Sequence, residues 1–317
     1  MVDFEIRIPI LPTDGFYSNV KLAVKSLRNL GGSYETVPIH VSVGGMPKDP
    51  TPELTKEINA WSKDDPNLHW RIIPPQVRTT EFASVIDRIA NPLEKDVVIM
   101  CDADLCITKD IQPLLEIVAA QDRPTLAGMM AHQSPFSKDP DENREWWQKA
   151  FALFDVPMPE FDYNHTLAPA SQGKSPMYIN QGFTVMNRSA FEILGKRMAQ
   201  ITLDLARMLR PGNKHIFALQ VALTVAIEME RVQFLQLGPQ YNCTNEDAML
   251  RCGLSSPEDV RVLHYQRRDV FDRHKFLCEQ EAFLDFSLAE YDSAILQMFQ
   301  KHVLSLEDVF FERGAAA

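Results

Sequence analysis

Two aspartates one residue apart, Asp102 and Asp104, stand at the end of a short apolar run, Val97 to Cys101. Such a run reads as a strand buried on both faces of a mainly parallel sheet. Ligands of open α/β sheets bind beyond the carboxyl ends of the strands, so the pair lies where chemistry is expected. Two carboxylates this close repel each other unless a cation sits between them. A divalent metal is the usual answer, and hard oxygen ligands suit Mn²⁺ or Mg²⁺. The other reading is a strand-end turn with two solvated acids, since aspartate is common in turns.

The elements that would position this pair alternate along the chain. Residues 4–11 read as a first strand, with Pro9 near its end or at an irregularity. Residues 12–17 are turn-like. Residues 20–30 have helical spacing, with Val20, Ala23, Val24 and Leu27 on one face and Gly31-Gly32 as the stop. Strands follow at 37–43 and 68–73, and helices at 52–62 and 79–89. This alternation predicts a parallel, doubly wound sheet. Asp110 is placed to cap a helix over 110–118, and 125–130 reads as a strand. Residues 134–177 are rich in Pro, Asp and aromatics and include Trp146-Trp147. A long irregular insertion of this kind is a lid or acceptor-binding loop, or else a surface excursion whose tryptophans pack on the core. Strands at 178–187, 232–237 and 261–265 and helices at 189–209 and 216–229 complete the pattern. From residue 272 the chain reads as an amphipathic helical tail. The expected organisation is one domain over 1–271, with the 134–177 insertion, and a tail over 272–317.

The composition is that of an ordinary globular protein, 45% hydrophobic and 24% charged over 317 residues. A net charge of −11 without a Lys/Arg block argues against nucleic-acid binding. It also means that an anionic phosphate substrate would need a metal to hold it. The five cysteines (Cys101, Cys106, Cys243, Cys252 and Cys278) lack zinc-site spacing and read as reduced packing thiols of a cytoplasmic protein. The opening strand gives no sign of a signal peptide. No stretch approaches the ~20 apolar residues of a membrane span. An oligomer is left open.

The order of short motifs is more specific. Residues 12–27 (Pro-Thr-Asp-Gly-Phe-Tyr-Ser-Asn-Val-Lys-Leu-Ala-Val-Lys-Ser-Leu) look like a nucleotide-binding first loop and helix. They are followed by Asp102-Ala-Asp104, Asn180-Gln-Gly-Phe-Thr-Val-Met-Asn187, Gln220-Val-Ala-Leu223, Leu237-Gly-Pro-Gln-Tyr-Asn242 and Val262-Leu-His-Tyr265. In this order, across residues 4–275, the chain resembles GT-A-fold glycosyltransferases. The likeness is greatest to the family eight group that contains glycogenin and the lipopolysaccharide galactosyltransferases.

The resemblance implies a Rossmann-like α/β fold with a mixed, mainly parallel sheet flanked by helices. It implies a metal-dependent transfer of a sugar from a nucleotide-diphosphate sugar, UDP- or GDP-linked, to a saccharide or other hydroxyl acceptor. Asp104 and His264 would bind Mn²⁺ or Mg²⁺ directly, and Asp102 would contact both metal and ribose. Pro12, Thr13, Asp14 and Tyr17 would meet the nucleotide, with Asp14 accepting from the base and Phe16 or Tyr17 near its plane. Ala103, Asn180 and Gln181 would complete the donor site. Arg88 would face the donor, or else be a solvated helix charge. Arg267, Arg268, Arg273 and Lys275 form a basic tail that could clamp a diphosphate.

Two departures from the family pattern stand out. Its Gly-x-x-Lys-Pro-Trp segment is absent. Leu219 and Val221 replace the acids that flank the family's glutamine, so Gln220 is left either as the residue beneath the anomeric carbon or as a structural glutamine on an apolar helix. The segment Asn245-Glu-Asp247 is similar to the Glu-Asp motif of inverting GT-A enzymes, which makes Asp247 a candidate general base. Its alternative is a helix start with Asn245 as cap. Retention or inversion is therefore open. The competing readings are a sugar-nucleotide pyrophosphorylase, a haloacid-dehalogenase-type phosphatase and a non-catalytic carbohydrate-binding relative. The first lacks its Gly-rich basic loop. The second has Cys106 where Thr or Val belongs.

Overall fold

The computed structural model describes residues 2–78, 82–266, 269–306 and 310. In chain order its main elements are β1 (Phe4–Ile10), α1 (Asp14–Arg28), β2 (Ile39–Val43), α2 (Lys56–Ser62), β3 (Leu68–Ile72) and α3 (Ala83–Ala90). Next come β4 (Val97–Cys101), β5 (Leu105–Ile107), α4 (Gln112–Ala119), β6 (Thr125–Met130), α5 (Pro140–Ala152), β7 (Ile179–Asn187) and α6 (Arg188–Leu209). The chain ends with α7 (Ala218–Glu230), β8 (Gln233–Gln236), β9 (Cys243–Thr244), α8 (Ala248–Arg251), β10 (Val262–His264), α9 (Gln280–Leu288) and α10 (Ala294–Leu304). This is the expected α/β class, with mixed, mainly parallel strands flanked by helices. The chain folds as two compact units.

One unit comprises Glu5–Arg88, Cys101–Ile111 and Gly238–Ala317. Its parallel strands run in the order β3-β2-β1. Ile6, Ile8 and Ile10 lie opposite Ile39, Val41 and Val43, so β-branched side chains fill a fully buried layer. Pro9 pairs with Ser42 one residue from the strand's end. Helix α1 starts at Asp14, earlier than the apolar spacing from Val20 predicts. Thr13 caps it, its hydroxyl accepting from the Phe16 N–H. Likewise Thr55 caps α2, so that helix begins at Lys56 rather than near Pro52. A second small sheet has the order β5-β10-β9. Among the described residues the tail holds two short helices, α9 and α10, and residues 273–278 that precede them are turns. An aromatic cluster of Tyr265, Phe276, Phe286 and Phe299 secures α9 and α10. Each of these rings is fully buried, and burial of a ring of this size contributes about 1.5–3 kcal/mol.

The other unit comprises Met1–Phe4, Ile89–Met100 and Gln112–Leu237. Its strand order is β4-β7-β6-β8. Strand β6 is antiparallel to β7 and parallel to β8. Asn187 joins strand to helix, its Oδ1 accepting from the Ala190 N–H as the cap of α6 and from the Thr125 N–H at the start of β6. Phe191, Leu194, Met198, Ile201, Leu205 and Leu209 then form a stripe at three- and four-residue spacing on α6, all buried. The segment 134–177 is not wholly irregular, because Asp139 starts α5 within it. Trp147 is fully buried against Phe136, Phe151 and Tyr178. No helix of the described residues is long and apolar enough to cross a membrane.

Candidate active site

The candidate metal ligands come together through the register of the small sheet. Val262, Leu263 and His264 of β10 lie antiparallel to Ile107, Cys106 and Leu105 of β5. His264 is thus opposite the residue after Asp104, and the Tyr265 N–H donates to the Asp104 carbonyl at 3.0 Å. Both triplets are apolar or buried throughout, which locks the pairing. Asp102 and Asp104 occupy the turn between β4 and β5. Ligand atoms of Asp102, Asp104 and His264 lie within 4.8 Å of one another.

His264 Nε2 lies 3.2 Å from Asp104 Oδ1 and 3.9 Å from Asp102 Oδ2. Its other nitrogen, Nδ1, is 3.0 Å from Asn242 Oδ1. An amide oxygen only accepts, so Nδ1 carries a hydrogen; Nε2 donates to Asp104 Oδ1 here, and its lone pair becomes available when a cation takes the place of that proton. A partner that fixes the imidazole in this way is the usual companion of a metal-ligating histidine. Two ligands bound to one ion at about 2.0–2.6 Å stand roughly 3–3.7 Å apart when adjacent and at most about 4–5 Å apart when opposite. The donor set and its spacing therefore fit a hard divalent cation.

The charges around the acids are organised in pairs. Arg88 is buried at the end of α3, donates to the Cys101 carbonyl at 3.1 Å and lies 3.9 Å from Asp102 Oδ1. It is not a solvated helix charge. Arg7 donates to the Arg88 carbonyl at 2.8 Å and pairs with Glu5 at 2.6 Å, which fixes the backbone that carries Arg88. Arg273 pairs with Asp104 Oδ2. Burial opposes ionisation of Asp104, but the His264 imidazole and the Arg273 guanidinium outweigh it and hold its carboxyl at about 2. Partial burial and the neighbouring Asp104 charge raise Asp102, whose side chain is still 44% exposed. Burial works against protonating His264, yet the two carboxylates prevail and raise its imidazole above the ordinary value.

The other expected residues have diverse places. Thr13 serves as the cap of α1, and Ala103 is buried between the acids. Asp14 and Tyr17 line a cleft of about 400 Å³ with Ser18, Lys21, Lys56 and Trp61. Tyr17 itself is buried, its ring edge-on to Trp70, whereas Phe16 packs at 5.2 Å on His274. Of the two aromatics offered for the nucleobase, Phe16 is the one that reaches the surface. Arg267 and Arg268 lie outside the described residues. Lys275 forms an exposed pair with Glu279 at 3.6 Å.

Asp247 has another occupation. Its carboxylate accepts from the Ser293 hydroxyl at 2.7 Å and from the Ala294 and Ile295 N–H groups at 3.2 and 3.1 Å. It closes the start of α10. Burial opposes this, but the three donors outweigh it and lower the carboxyl below its usual range, the wrong direction for a base. In the other unit, Asn180 Oδ1 accepts from the Gly182 N–H at 2.8 Å and Gln181 Nε2 donates to the Leu219 carbonyl at 3.2 Å. There the Tyr178 hydroxyl donates to Gln220 Oε1 at 2.5 Å.

Reading the sequence missed the roles of Asn242 and Arg7. Asn242 was visible as a motif residue two positions before Thr244. Only the parallel β9–β10 pairing, Leu263 with Cys243 and His264 with Thr244, shows why it stands behind the histidine.

Residues 82–230 match the model of the Rhodobacterales glycosyltransferase domain. None of the curated proteins compared matches the chain. Among solved structures it is similar to the galactosyltransferase LgtC in complex with donor and acceptor sugar analogs, with a TM-score of 0.54 at 12% identity over 95% of each chain. It is also similar to the bifunctional glycosyltransferase WbbM in its apo form, with a TM-score of 0.52 at 14% identity. That match covers 84% of this chain and spans 46% of WbbM. At these identities the likeness is one of fold, and the fold is GT-A. The segment 82–230 is similar to a glycosyltransferase domain, which supports an enzyme that transfers sugar.

Proposed function

We propose that the protein moves a sugar from a nucleotide-diphosphate sugar, UDP- or GDP-linked, to a hydroxyl of a saccharide or other acceptor, with Mn²⁺ or Mg²⁺ held by Asp102, Asp104 and His264. The observation that carries this reading is the convergence of the three ligands with Asn242 behind His264. A divalent ion bound there would neutralise negative charge on the leaving diphosphate as a Lewis acid. The chain's own residues do the remaining work. Arg88 compensates Asp102 from beneath. Asn242 holds the imidazole in the ligating tautomer. Phe16 offers a ring face to a base, beside Pro12, Thr13 and Asp14, and Arg273 is a phosphate contact.

Asn180 and Gln181 are proposed as donor-sugar contacts, and Gln220 as the residue facing the anomeric carbon. We do not assign the base's role to Asp247, because it is committed to α10. Residues 134–177 are proposed to line the acceptor side, where the half-buried Trp146 ring has the Lys149 and Lys214 ammonium groups at 5.1 and 5.6 Å from its centre. Cys101, Cys106, Cys243 and Cys278 carry free thiols, which suits a reducing cytoplasm.

The test is turnover. The protein is incubated with a panel of UDP- and GDP-sugars and Mn²⁺, and release of nucleoside diphosphate is followed. Release that stops with a chelator and in Asp104→Ala supports the reading. Release unaffected by both contradicts it. The anomeric configuration of the product then decides between retention and inversion.

A further inference from the structure

We infer that Arg273 is a built-in counter-cation of the metal site, held on Asp104 in the unloaded protein and displaced when metal and donor bind. The inference rests on the donor-site reading above and concerns how that site is guarded. Both oxygens of Asp104 are engaged: Oδ1 with His264 Nε2 at 3.2 Å and Oδ2 with the Arg273 guanidinium. A divalent ion that takes Asp104 as a ligand would meet a guanidinium on the same carboxylate. Like charges so placed repel. Arg88 is in no position to yield, because its side chain is 2% exposed and its guanidinium is bonded to the Cys101 carbonyl. Arg273 is the cation that can leave.

The segment that carries Arg273 lies directly on the first loop. A Cβ at Gly15 would stand 2.2 Å from the His274 carbonyl oxygen, so the two backbones touch where only glycine allows it. The His274 ring packs on Phe16 at 5.2 Å. The Asn19 amide, oriented as its neighbours require, donates to the Arg273 carbonyl at 3.2 Å and to the Gly15 carbonyl at 3.3 Å. Residues 273 and 274 thus cover both the metal ligand and the aromatic face proposed for the base. The covering is also incomplete in its bonding. Arg273 Nε is buried with no acceptor, a condition native structures avoid unless another state relieves it. A guanidinium freed from Asp104 presents its fork of N–H groups to an anion, and the oxygens of a diphosphate fit it. Arg273 would then exchange one anion for another, the carboxylate of the unloaded site for the phosphates of the loaded one. Metal without nucleotide would lack that second partner and would bind weakly.

The experiment titrates Mn²⁺ alone into the full chain, followed by electron paramagnetic resonance of the free ion, and then UDP or GDP in the presence of Mn²⁺ by calorimetry. Arg273→Gln should bind Mn²⁺ alone about tenfold tighter than wild type, the scale of one charged hydrogen bond. It should bind the nucleoside diphosphate with Mn²⁺ more weakly. His274→Ala, which loosens the segment but keeps the guanidinium, should also bind Mn²⁺ alone more tightly. Thermal unfolding checks that both variants are folded. Mn²⁺ affinity that is unchanged or weaker in folded Arg273→Gln overturns the inference while leaving the metal site intact. If wild type binds no Mn²⁺ with or without any nucleotide, the donor-site reading itself falls, and this inference falls with it.

Discussion

Asn242 offers the sharpest perturbation of the candidate metal site, because it holds His264 by the ring nitrogen that faces away from the acids. Its Oδ1 lies 3.0 Å from His264 Nδ1, and both residues are buried. Asn242→Ala removes the acceptor and leaves a buried N–H without a partner, which costs about 1–3 kcal/mol. The imidazole relieves this by turning or by keeping its proton on Nε2, and in either case the Nε2 lone pair that a metal ion would need is lost. Loss of such a supporting partner typically weakens metal binding ~10–100-fold, equivalent to about 1.4–2.7 kcal/mol. The two routes agree in scale. Asn242→Asp keeps the acceptor and adds a charge, so its metal affinity should equal or exceed that of wild type. Calorimetric titration of Mn²⁺ in the presence of nucleoside diphosphate, on wild type and both variants, measures this. The reasoning is refuted if Asn242→Ala binds Mn²⁺ within about twofold of wild type while His264→Ala does not bind it.

Two further predictions use other parts of the same unit. Asp247→Ala should lower stability by about 1 kcal/mol through loss of the start of α10, read from urea unfolding, and leave kcat within about tenfold of wild type. A fall of roughly 10²–10⁴-fold would restore Asp247 as the general base. His302 on α10 meets the Ser26 hydroxyl of α1, and burial pushes its imidazole down from 6.5 to about 4. Between those values the unfolded chain binds a proton that the folded chain refuses. Stability should therefore be complete above about pH 6.5 and fall as pH drops towards 4, by up to roughly 3 kcal/mol. Urea midpoints for wild type and His302→Gln at several pH values test this, since the variant should show a shallower slope; parallel slopes would remove His302 from the account.

The parts of the site that depend on local pattern were legible in the sequence. The buried run before Asp102, the strand ending at Asn187 and the stripe on α6 follow from spacing alone. The start of α1 was not, because Gly15 and the polar Ser18 and Asn19 interrupt the apolar period that first becomes regular at Val20. The orientation of Tyr17 into the core depends on Trp70, more than 50 residues away in the chain. Asp247 read as the first turn of its own short helix, but the donors that satisfy its carboxylate belong to residues 293–295. The pairing of Arg273 with Asp104 joins positions 169 residues apart. No periodicity carries such contacts, which are set by strand register and by the path of the tail.

The central claim is a metal-dependent donor site on Asp102, Asp104 and His264. Calorimetric titration of UDP and GDP into the protein, with Mn²⁺ and with chelator, alongside Asp104→Ala, tests it most directly. The account predicts that one nucleoside diphosphate binds with Mn²⁺, loses its affinity in chelator and does not bind the variant. Equal binding with and without metal, or in Asp104→Ala, would contradict it.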